Sequence, residues 1–318
     1  MVQTTADLAH TLPPEPPSTG TGSLPSVEAA EGHYRVGWGQ ALLRFVRRNK
    51  IGAAAFLVFG FFVFLAIFGP LVTSTEKVTD LTQLYSQPSR DHILGTDYAG
   101  HDTFTQIVRG ARSVLVVGAL AAAMSTFFAV TLGSISALIG GASDSGVLLL
   151  TDVVLTIPYI VFLGVLATFV KLDSPILLAF IIAAVSWPTL LRAVRAQVLS
   201  LKEREYVEAA RVLDLGTPHI LFREVLPNMT SYIVISFVIA MTNAIYGQII
   251  LYFFGLVPLS GDNWGLMIQF AFTKGAIYFT DSLWYIMSPI AAICLLQLSL
   301  VLISRSLEEL FNPRLREG

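Results

Sequence analysis

The chain has 318 residues, of which 54% are hydrophobic and 13% charged, and its formal net charge is −2. An average soluble domain carries about 25% charged residues, so this composition argues against a soluble all-helical protein and for one embedded in membrane lipid. The single cysteine, Cys294, excludes an internal disulfide. No Cys or His cluster has the spacing of a metal site, and we expect neither a bound metal nor a nucleic-acid partner.

The first part of the chain is polar. Residues 1–33 are rich in Pro, Thr, Ser, Gly and Glu, a composition that cannot build a core, so we expect a disordered cytoplasmic tail. No apolar run follows a basic start, which argues against a signal peptide. Residues 34–50 form a basic cytoplasmic collar, and the transmembrane domain is assigned to residues 51–318. The basic residues nearest the first apolar run are Arg44, Arg47, Arg48 and Lys50.

Hydropathy predicts an all-α, polytopic membrane protein with six transmembrane helices. A bilayer core about 30 Å thick needs about 20 helical residues, and lipid offers no partner to an unpaired backbone. Two proline residues, Pro158 and Pro188, are expected to kink the third and fourth spans. The spans cover roughly residues 51–72, 112–140, 146–170, 176–198, 230–256 and 284–304. We interpret the interrupted run 264–280 as an external loop with a partly inserted or surface-lying helix.

The basic residues predict the orientation. If the amino terminus is cytoplasmic, fourteen Lys and Arg residues lie in inside segments and six in outside segments, which matches the positive-inside rule. Both termini are then cytoplasmic. Two polar segments are longer than simple connections, an external one at 73–111 and a cytoplasmic one at 199–229, and connections of this length usually carry function.

The cytoplasmic segment reads as two short helices. The first contains Glu208, Ala209 and Ala210, and it ends near Asp214-Leu215-Gly216. The second is predicted over 219–226 and to end before Pro227. Small residues and nearby charges suit docking into a groove on a soluble partner, while a plain amphipathic interfacial hairpin is the alternative. The residues alone do not decide between the two.

The external segment carries Leu94-Gly95-Thr96-Asp97-Tyr98-Ala99-Gly100-His101-Asp102 before the second span. Two glycines and two aspartates indicate a structured turn with Asx-type caps and a helix starting near Thr103. A Ca²⁺ site or an acid–base pair is the weaker alternative, because the usual run of oxygen ligands is missing.

Few polar residues fall inside the spans. Asp152 is the one acid there, and we favour a structural helix contact in which Thr151 shares its hydrogen bonds over a functional role. Arg192 and Arg195 are expected to mark the inner interface by snorkelling. The fifth span has a polar face that either contacts substrate or bonds to other helices, formed by Thr242, Asn243, Tyr246 and Gln248.

The chain has no phosphate-binding loop, since none of its five lysines precedes Ser or Thr. An ATP-driven pump would therefore need a separate ATPase chain. A secondary transporter is the competing class. Such transporters favour buried acids and inverted repeats, and Asp152 is the only feature of this kind in the sequence. An intramembrane enzyme is the third class and would need polar pairs at membrane depth.

The cytoplasmic segment resembles the signature E-A-A-x3-G-x9-I-x-L-P of ATP-binding-cassette importer permeases. Glu208, Ala209, Ala210, Leu226 and Pro227 match it, while Asp214 stands where glycine is expected and Gly216 follows. The external segment is similar to the L-G-T-D-x-x-G-R-D motif of the dipeptide and oligopeptide branch, with His101 in place of arginine. The resemblance continues through Arg109–Leu115, Trp187-Pro188 and Asn263–Met267, and it is closest to C-type subunits.

That resemblance implies a permease subunit that moves peptides by alternating access, with oligosaccharides or nickel as alternative cargo. Partners implied are a homologous second permease, two ATPase subunits that use ATP and Mg, and an extracytoplasmic binding protein. The chain is then no enzyme and binds no cofactor itself. The implied ATPase-coupling residues are Glu208, Ala209, Ala210, Asp214, Gly216, Arg223, Leu226 and Pro227. The external motif comprises Gly95, Thr96, Asp97, Gly100 and Asp102, and the fifth-span polar residues are the candidate translocation path.

Overall fold

The computed structural model describes residues 49–73, 79–80, 82–258 and 261–311. The tail predicted at 1–33 and all but the end of the collar at 34–50 lie outside the described residues. Within the described residues, regular structure is helical, with one isolated bridge between Thr96 and Asp102. The longer helices are α1 (Lys50–Val72), α2 (Thr103–Ile139), α3 (Gly141–Thr156), α4 (Tyr159–Phe169) and α5 (Pro175–Lys202).

Two short helical stretches follow α5. Helix α6 is Glu205–Val212, and α7 is built from three consecutive pieces, Thr217–His219, a π-helical turn Ile220–Val225, and Leu226–Asn228. The remaining helices are α8 (Thr230–Phe253), α9 (Trp264–Thr273), a 3₁₀ turn at Ala276–Tyr278, and α10 (Leu283–Phe311).

Five of the described helices, α1, α2, α5, α8 and α10, are long and apolar enough to cross a bilayer. The third predicted span, 146–170, corresponds to α3 and α4, which meet at 90° rather than forming one kinked helix, and the described helices provide the predicted six spans if this bent pair is counted as one. Ile157 and Pro158 both have extended backbone there. Proline disfavours the helical region for the residue before it, so two consecutive non-helical residues turn the chain. Pro188, by contrast, lies within an uninterrupted α5.

The helices share three apolar cores, the third of which lies beneath α6 and α7. The first joins α1, α2, α8, α9 and α10 around the fully buried Trp264, Tyr285 and Leu296. The second joins α2, α4, α5 and α8 around Leu163 and Ile182. Helix α1 buries little of itself and exposes apolar side chains on its outer side, as expected for contact with lipid rather than water.

The short helix α9 belongs to the core. Trp264 is completely buried and its Nε1 donates to the carbonyl of Ile107 at 2.9 Å, which satisfies its one polar atom. Asn263 caps the helix by accepting from the amide of Gly265 at 2.9 Å. Helix α9 is therefore packed against α2, α8 and α10, and whether it is partly inserted in the membrane or lies on its surface stays a prediction.

Candidate coupling and transport sites

The segment 205–228, which we call the coupling element, comprises α6 and α7 and joins α5 to α8. Lys202, the last residue of α5 before this element, binds the end of α2. The Nζ of Lys202 donates to the carbonyls of Ala137 at 3.1 Å and Leu138 at 3.3 Å. These carbonyls belong to the last turn of α2, where a cation is stabilised by the helix dipole and by otherwise unpaired acceptors. Sequence patterns do not single out Lys202, because its acceptors are backbone atoms.

Helix α6 ends in a Schellman motif with Asp214 at its left-handed position. Asp214 has φ of 54° and donates its amide to Arg211, and the amide of Leu215 donates to Ala210 at 3.0 Å. These are the two bonds that define the motif, and its left-handed residue is usually glycine. Aspartate occupies this region more readily than most residues. Asp214 thus fills the conformational place of the expected glycine, whereas Gly216, with φ of −59°, caps the start of α7.

Helix α7 continues through Pro227 to Asn228, so the prediction that it ends before Pro227 is wrong. The amide of Leu226 donates to Leu221, five residues back, within the π-helical turn. Pro227 has no amide hydrogen to donate, and a proline ring collides with the preceding turn of a regular α-helix. The widened turn relieves that collision and lets the helix continue.

The coupling element has one buried and one exposed face. Val207, Ala210, Ile220 and Val225 are buried in a third apolar core with Val194 and Val198 of α5. The two alanines therefore differ, since Ala209 is exposed while Ala210 is 4% exposed. The prediction that both alanines admit a second surface is wrong for Ala210. The exposed face also presents Glu208, Val212, Leu213, Phe222 and Arg223.

The segment 79–102, which we call the motif loop, is organised around the buried carboxylate of Asp97. One of its oxygens accepts from the amides of Ala99 and His101 at 2.8 and 2.9 Å. The other accepts from Nε2 of Gln106 at 2.9 Å and lies 3.0 Å from Nδ1 of His101. His101, where the resemblance expects arginine, thus supports Asp97 from within the loop. Thr96, also buried, accepts from the amide of Ser86 at 2.8 Å.

The two motif glycines serve tight backbone approaches. Gly95 and Gly100 have φ of 73° and 79°, and a Cβ on Gly100 would lie 2.1 Å from the carbonyl oxygen of Asp80. Hydrogen bonds from the hydroxyl and amide of Thr82 hold the pKa of Asp80 below its ordinary value.

Asp102 caps α2 by accepting from the amide of Thr105 at 2.7 Å, which confirms the predicted helix start at Thr103. The carboxylates of Asp97 and Asp102 are therefore used in local hydrogen bonds.

The four polar residues of α8 separate into two groups. Gln248 is fully buried and its amide contacts the carbonyl of Ser113 at 3.5 Å. Thr242 donates to Val238 within its own helix, and its carbonyl accepts from Gln297 of α10. Asn243 and Tyr246 are exposed and line a cavity of about 460 Å³ between the α3–α4 bend, α5 and α8. Bonding to another helix is therefore confirmed for the side chain of Gln248, whereas contact of Asn243 and Tyr246 with substrate stays a prediction.

Two ion pairs tie α3 to α5. Arg195 donates to Asp144 from Nε at 2.7 Å and from an Nη at 2.5 Å, and Arg192 pairs with Asp152. Asp152 is thus bound to Arg192, and Thr151 instead donates to Val147. The predicted helix contact of Asp152 is thus present, but its partner is Arg192 instead of Thr151, and the position of both arginines at the inner interface stays a prediction. The two acids are eight residues apart on α3 and the two arginines three apart on α5, so each helix turns two like charges toward the other.

Long apolar helices, one bent pair and a helical hairpin between α5 and α8 define a multi-pass membrane protein. The family model "binding-protein-dependent transport system inner membrane component" matches residues 129–317. A second model, "N-terminal TM domain of oligopeptide transport permease C", matches residues 38–88. The chain therefore belongs to the family of binding-protein-dependent transport system inner membrane components, as a C-type permease.

Curated relatives agree along most of their length. The chain is 30% identical to the oligopeptide transport system permease protein OppC of Bacillus subtilis over 88% of this chain and 90% of that protein. It is 35% identical to a putative peptide permease protein of Brucella suis over 74% of this chain and 77% of that protein. It is 30% identical to the dipeptide transport system permease protein DppC of Alkalihalophilus pseudofirmus over 88% of this chain and 90% of that protein.

Membership in this family settles the general class of activity. The chain is a transport permease and not an enzyme, and ATP hydrolysis in such importers is carried out by separate subunits. In general terms, such a permease works with ATPase subunits, another permease subunit and a substrate-binding protein.

Proposed function

We propose that this chain is the C-type permease subunit of a peptide importer, which moves its substrate by alternating access. The observation that carries the proposal is the similarity to oligopeptide and dipeptide permeases, which extends over most of both chains. Oligosaccharides or nickel are the alternative cargo. A secondary transporter, the competing class from sequence, does not account for the coupling element or the family match.

We further propose the orientation and the assembly. The protein lies in the cytoplasmic membrane with both termini and the coupling element on the cytoplasmic side, supported by the excess of basic residues there. The motif loop and residues 257–283 then face outside and receive the binding protein. A homologous permease completes the path, and two ATPase subunits bind and hydrolyse ATP with Mg.

The coupling element transmits the motion of the ATPases. Its exposed apolar side chains, Val212, Leu213 and Phe222, are suited to a groove on a soluble partner, and Glu208 adds a charge to the same surface. Its buried face is packed on α5, and its last residues lead directly into α8. A rigid displacement of the element therefore moves α5 and α8, and Lys202 extends that displacement to α2.

The experiment is uptake by the complete transporter in proteoliposomes, with its binding protein outside. We expect accumulation of a labelled peptide that requires ATP hydrolysis and is competed by unlabelled peptide, but not by nickel or oligosaccharide. The Glu208→Lys variant is expected to insert normally and lose uptake. Uptake of nickel or oligosaccharide instead of peptide would move the proposal to that cargo. Peptide uptake that persists without any ATPase subunit would favour the secondary transporter.

A further inference from the structure

The cavity beside the α3–α4 bend is uncharged. Its polar lining comes from Tyr159, Ser186, Thr189, Asn243 and Tyr246, and the remaining lining is apolar side chains and a proline. Its volume, about 460 Å³, is within the range of about 300–1,000 Å³ that small-molecule sites occupy. No Asp, Glu, Lys, Arg or His contributes to its wall.

Four of these groups have unused hydrogen-bonding capacity, one of which is the buried hydroxyl of Tyr159. Among the described residues, the side chains of Thr189, Asn243 and Tyr246 have no hydrogen-bond partner, and all three residues are exposed. Ser186, by contrast, donates to the carbonyl of Ile182 at 2.7 Å. An aliphatic wall with a few unused hydroxyl and amide groups is the usual composition of a site that binds an organic molecule.

The position of the cavity links it to the coupling element. Two of its walls are α5 and α8, and these are the helices that the coupling element joins. The third wall is the bend, and Tyr159 at the start of α4 lies so close to α8 that a Cβ on Gly247 would be 2.4 Å from the tyrosine hydroxyl oxygen. Movement of the coupling element therefore changes the distance between the walls of this cavity.

The charged residues nearest to the bend leave the cavity uncharged. Asp152 of α3 and Arg192 of α5 are paired with each other, and neither lines the cavity. A charged group that entered the cavity would leave water without meeting an opposite charge, which is unfavourable, whereas a neutral amide or an apolar side chain meets suitable partners.

We propose that this cavity is the substrate-contacting subsite of this subunit, and that it takes an uncharged side chain of the peptide together with its neighbouring backbone amides. The inference rests on the proposed function, since it presumes a peptide cargo. Thr189, Asn243 and Tyr246 form hydrogen bonds to the backbone, and the aliphatic wall accepts the side chain. The charged termini of the peptide are then recognised elsewhere in the assembly.

The test measures selectivity in the complete transporter rather than uptake alone. Proteoliposomes with the binding protein outside are given labelled peptides of equal length that carry a neutral, a lysine or a glutamate central residue. In Asn243→Asp, uptake of the lysine peptide relative to the neutral one should rise roughly tenfold, the size of one decisive contact in a desolvated site. Tyr246→Phe and Thr189→Val should lower uptake of all three peptides without unfolding the protein.

A matched control is Thr168→Val, because Thr168 lies on α4 outside the cavity lining and its hydroxyl donates to Val165 of its own helix. It should leave selectivity and uptake unchanged. If Asn243→Asp fails to insert, Tyr246→Phe and Thr189→Val decide the matter. Unchanged selectivity and uptake in inserted variants would overturn the inference and assign the cavity to lipid or to the second permease. Failure of the native transporter to import any peptide would instead refute the proposed function.

Discussion

The guanidinium of Arg195 donates two hydrogen bonds, of 2.7 and 2.5 Å, to the carboxylate of Asp144. Both side chains are mostly buried, with 23% and 15% of their surface exposed. The pair joins α3, the helix before the bend, to α5, the helix that leads into the coupling element. Planar two-point contact between Arg and a carboxylate gives orientation as well as energy, so the two helices are held in one relative rotation.

We therefore expect Arg195→Ala or Asp144→Ala to destabilise the protein by about 2–3 kcal/mol, less than the loss at a completely buried pair. The reason is that each change leaves a charge without its partner. Thermal unfolding of the detergent-solubilised protein measures the effect. The double variant Asp144→Arg with Arg195→Asp should recover at least half of the loss, and equal instability in the single and double variants would contradict a direct pairing role.

Asp214 at the left-handed position of the α6 terminus provides a second prediction. Asp214→Gly should be tolerated and should stabilise the protein by about 0.5–1 kcal/mol, because glycine adopts positive φ without a Cβ penalty. Asp214→Val should lose about 1–2 kcal/mol for the converse reason. Both variants are tested by thermal unfolding and by the peptide-stimulated ATPase activity of the assembled transporter. A loss of stimulation in Asp214→Gly at full stability would show that the carboxylate itself contacts the ATPase.

Substitutions at the two adjacent alanines of the coupling element distinguish a role in docking from a role in folding. Ala209→Trp should leave the unfolding temperature near that of the native protein but abolish ATP-dependent uptake, because Ala209 is exposed. Ala210→Trp should lower stability by about 1–3 kcal/mol or prevent folding, because Ala210 is packed in the core. Co-purification of the ATPase subunits measures docking directly. Normal uptake in Ala209→Trp would remove this face from the docking surface.

The carboxylate of Asp97 is predicted to hold the motif loop together. Asp97→Ala removes the acceptor of two backbone amides and one side-chain amide, which should cost about 2–3 kcal/mol. Hydrogen exchange should show the loss of protection confined to the motif loop and the first turn of α2. Asp91→Ala is the control, since Asp91 is an exposed aspartate of the same loop and should change stability by at most about 0.5 kcal/mol. Unchanged exchange in Asp97→Ala would rule out the organising role.

The sequence predicts where much of the candidate site lies, but not what each residue in it does. The coupling element and the motif loop were found by residue type and spacing, and the cap at Asp102 followed from a local rule. The difference between Ala209 and Ala210 could not be read in this way, because it depends on how α6 is rotated against α5. The sequence does not predict the break at Ile157-Pro158, since a proline is compatible with a kink, a break or, as at Pro188, a continuous helix.

The properties that depend on neighbouring residues follow from the amino-acid sequence alone. These are the apolar helices, whose length matches a bilayer, and the polar segments between them. Which polar groups contact each other depends instead on how the helices pack. Arg195 and Asp144 are 51 residues apart, and Asn243 faces a cavity while Gln248 is buried against α2. Hydropathy depends on each residue and its neighbours in the chain, whereas an ion pair or a cavity wall depends on the packing of separate helices, which no local pattern encodes.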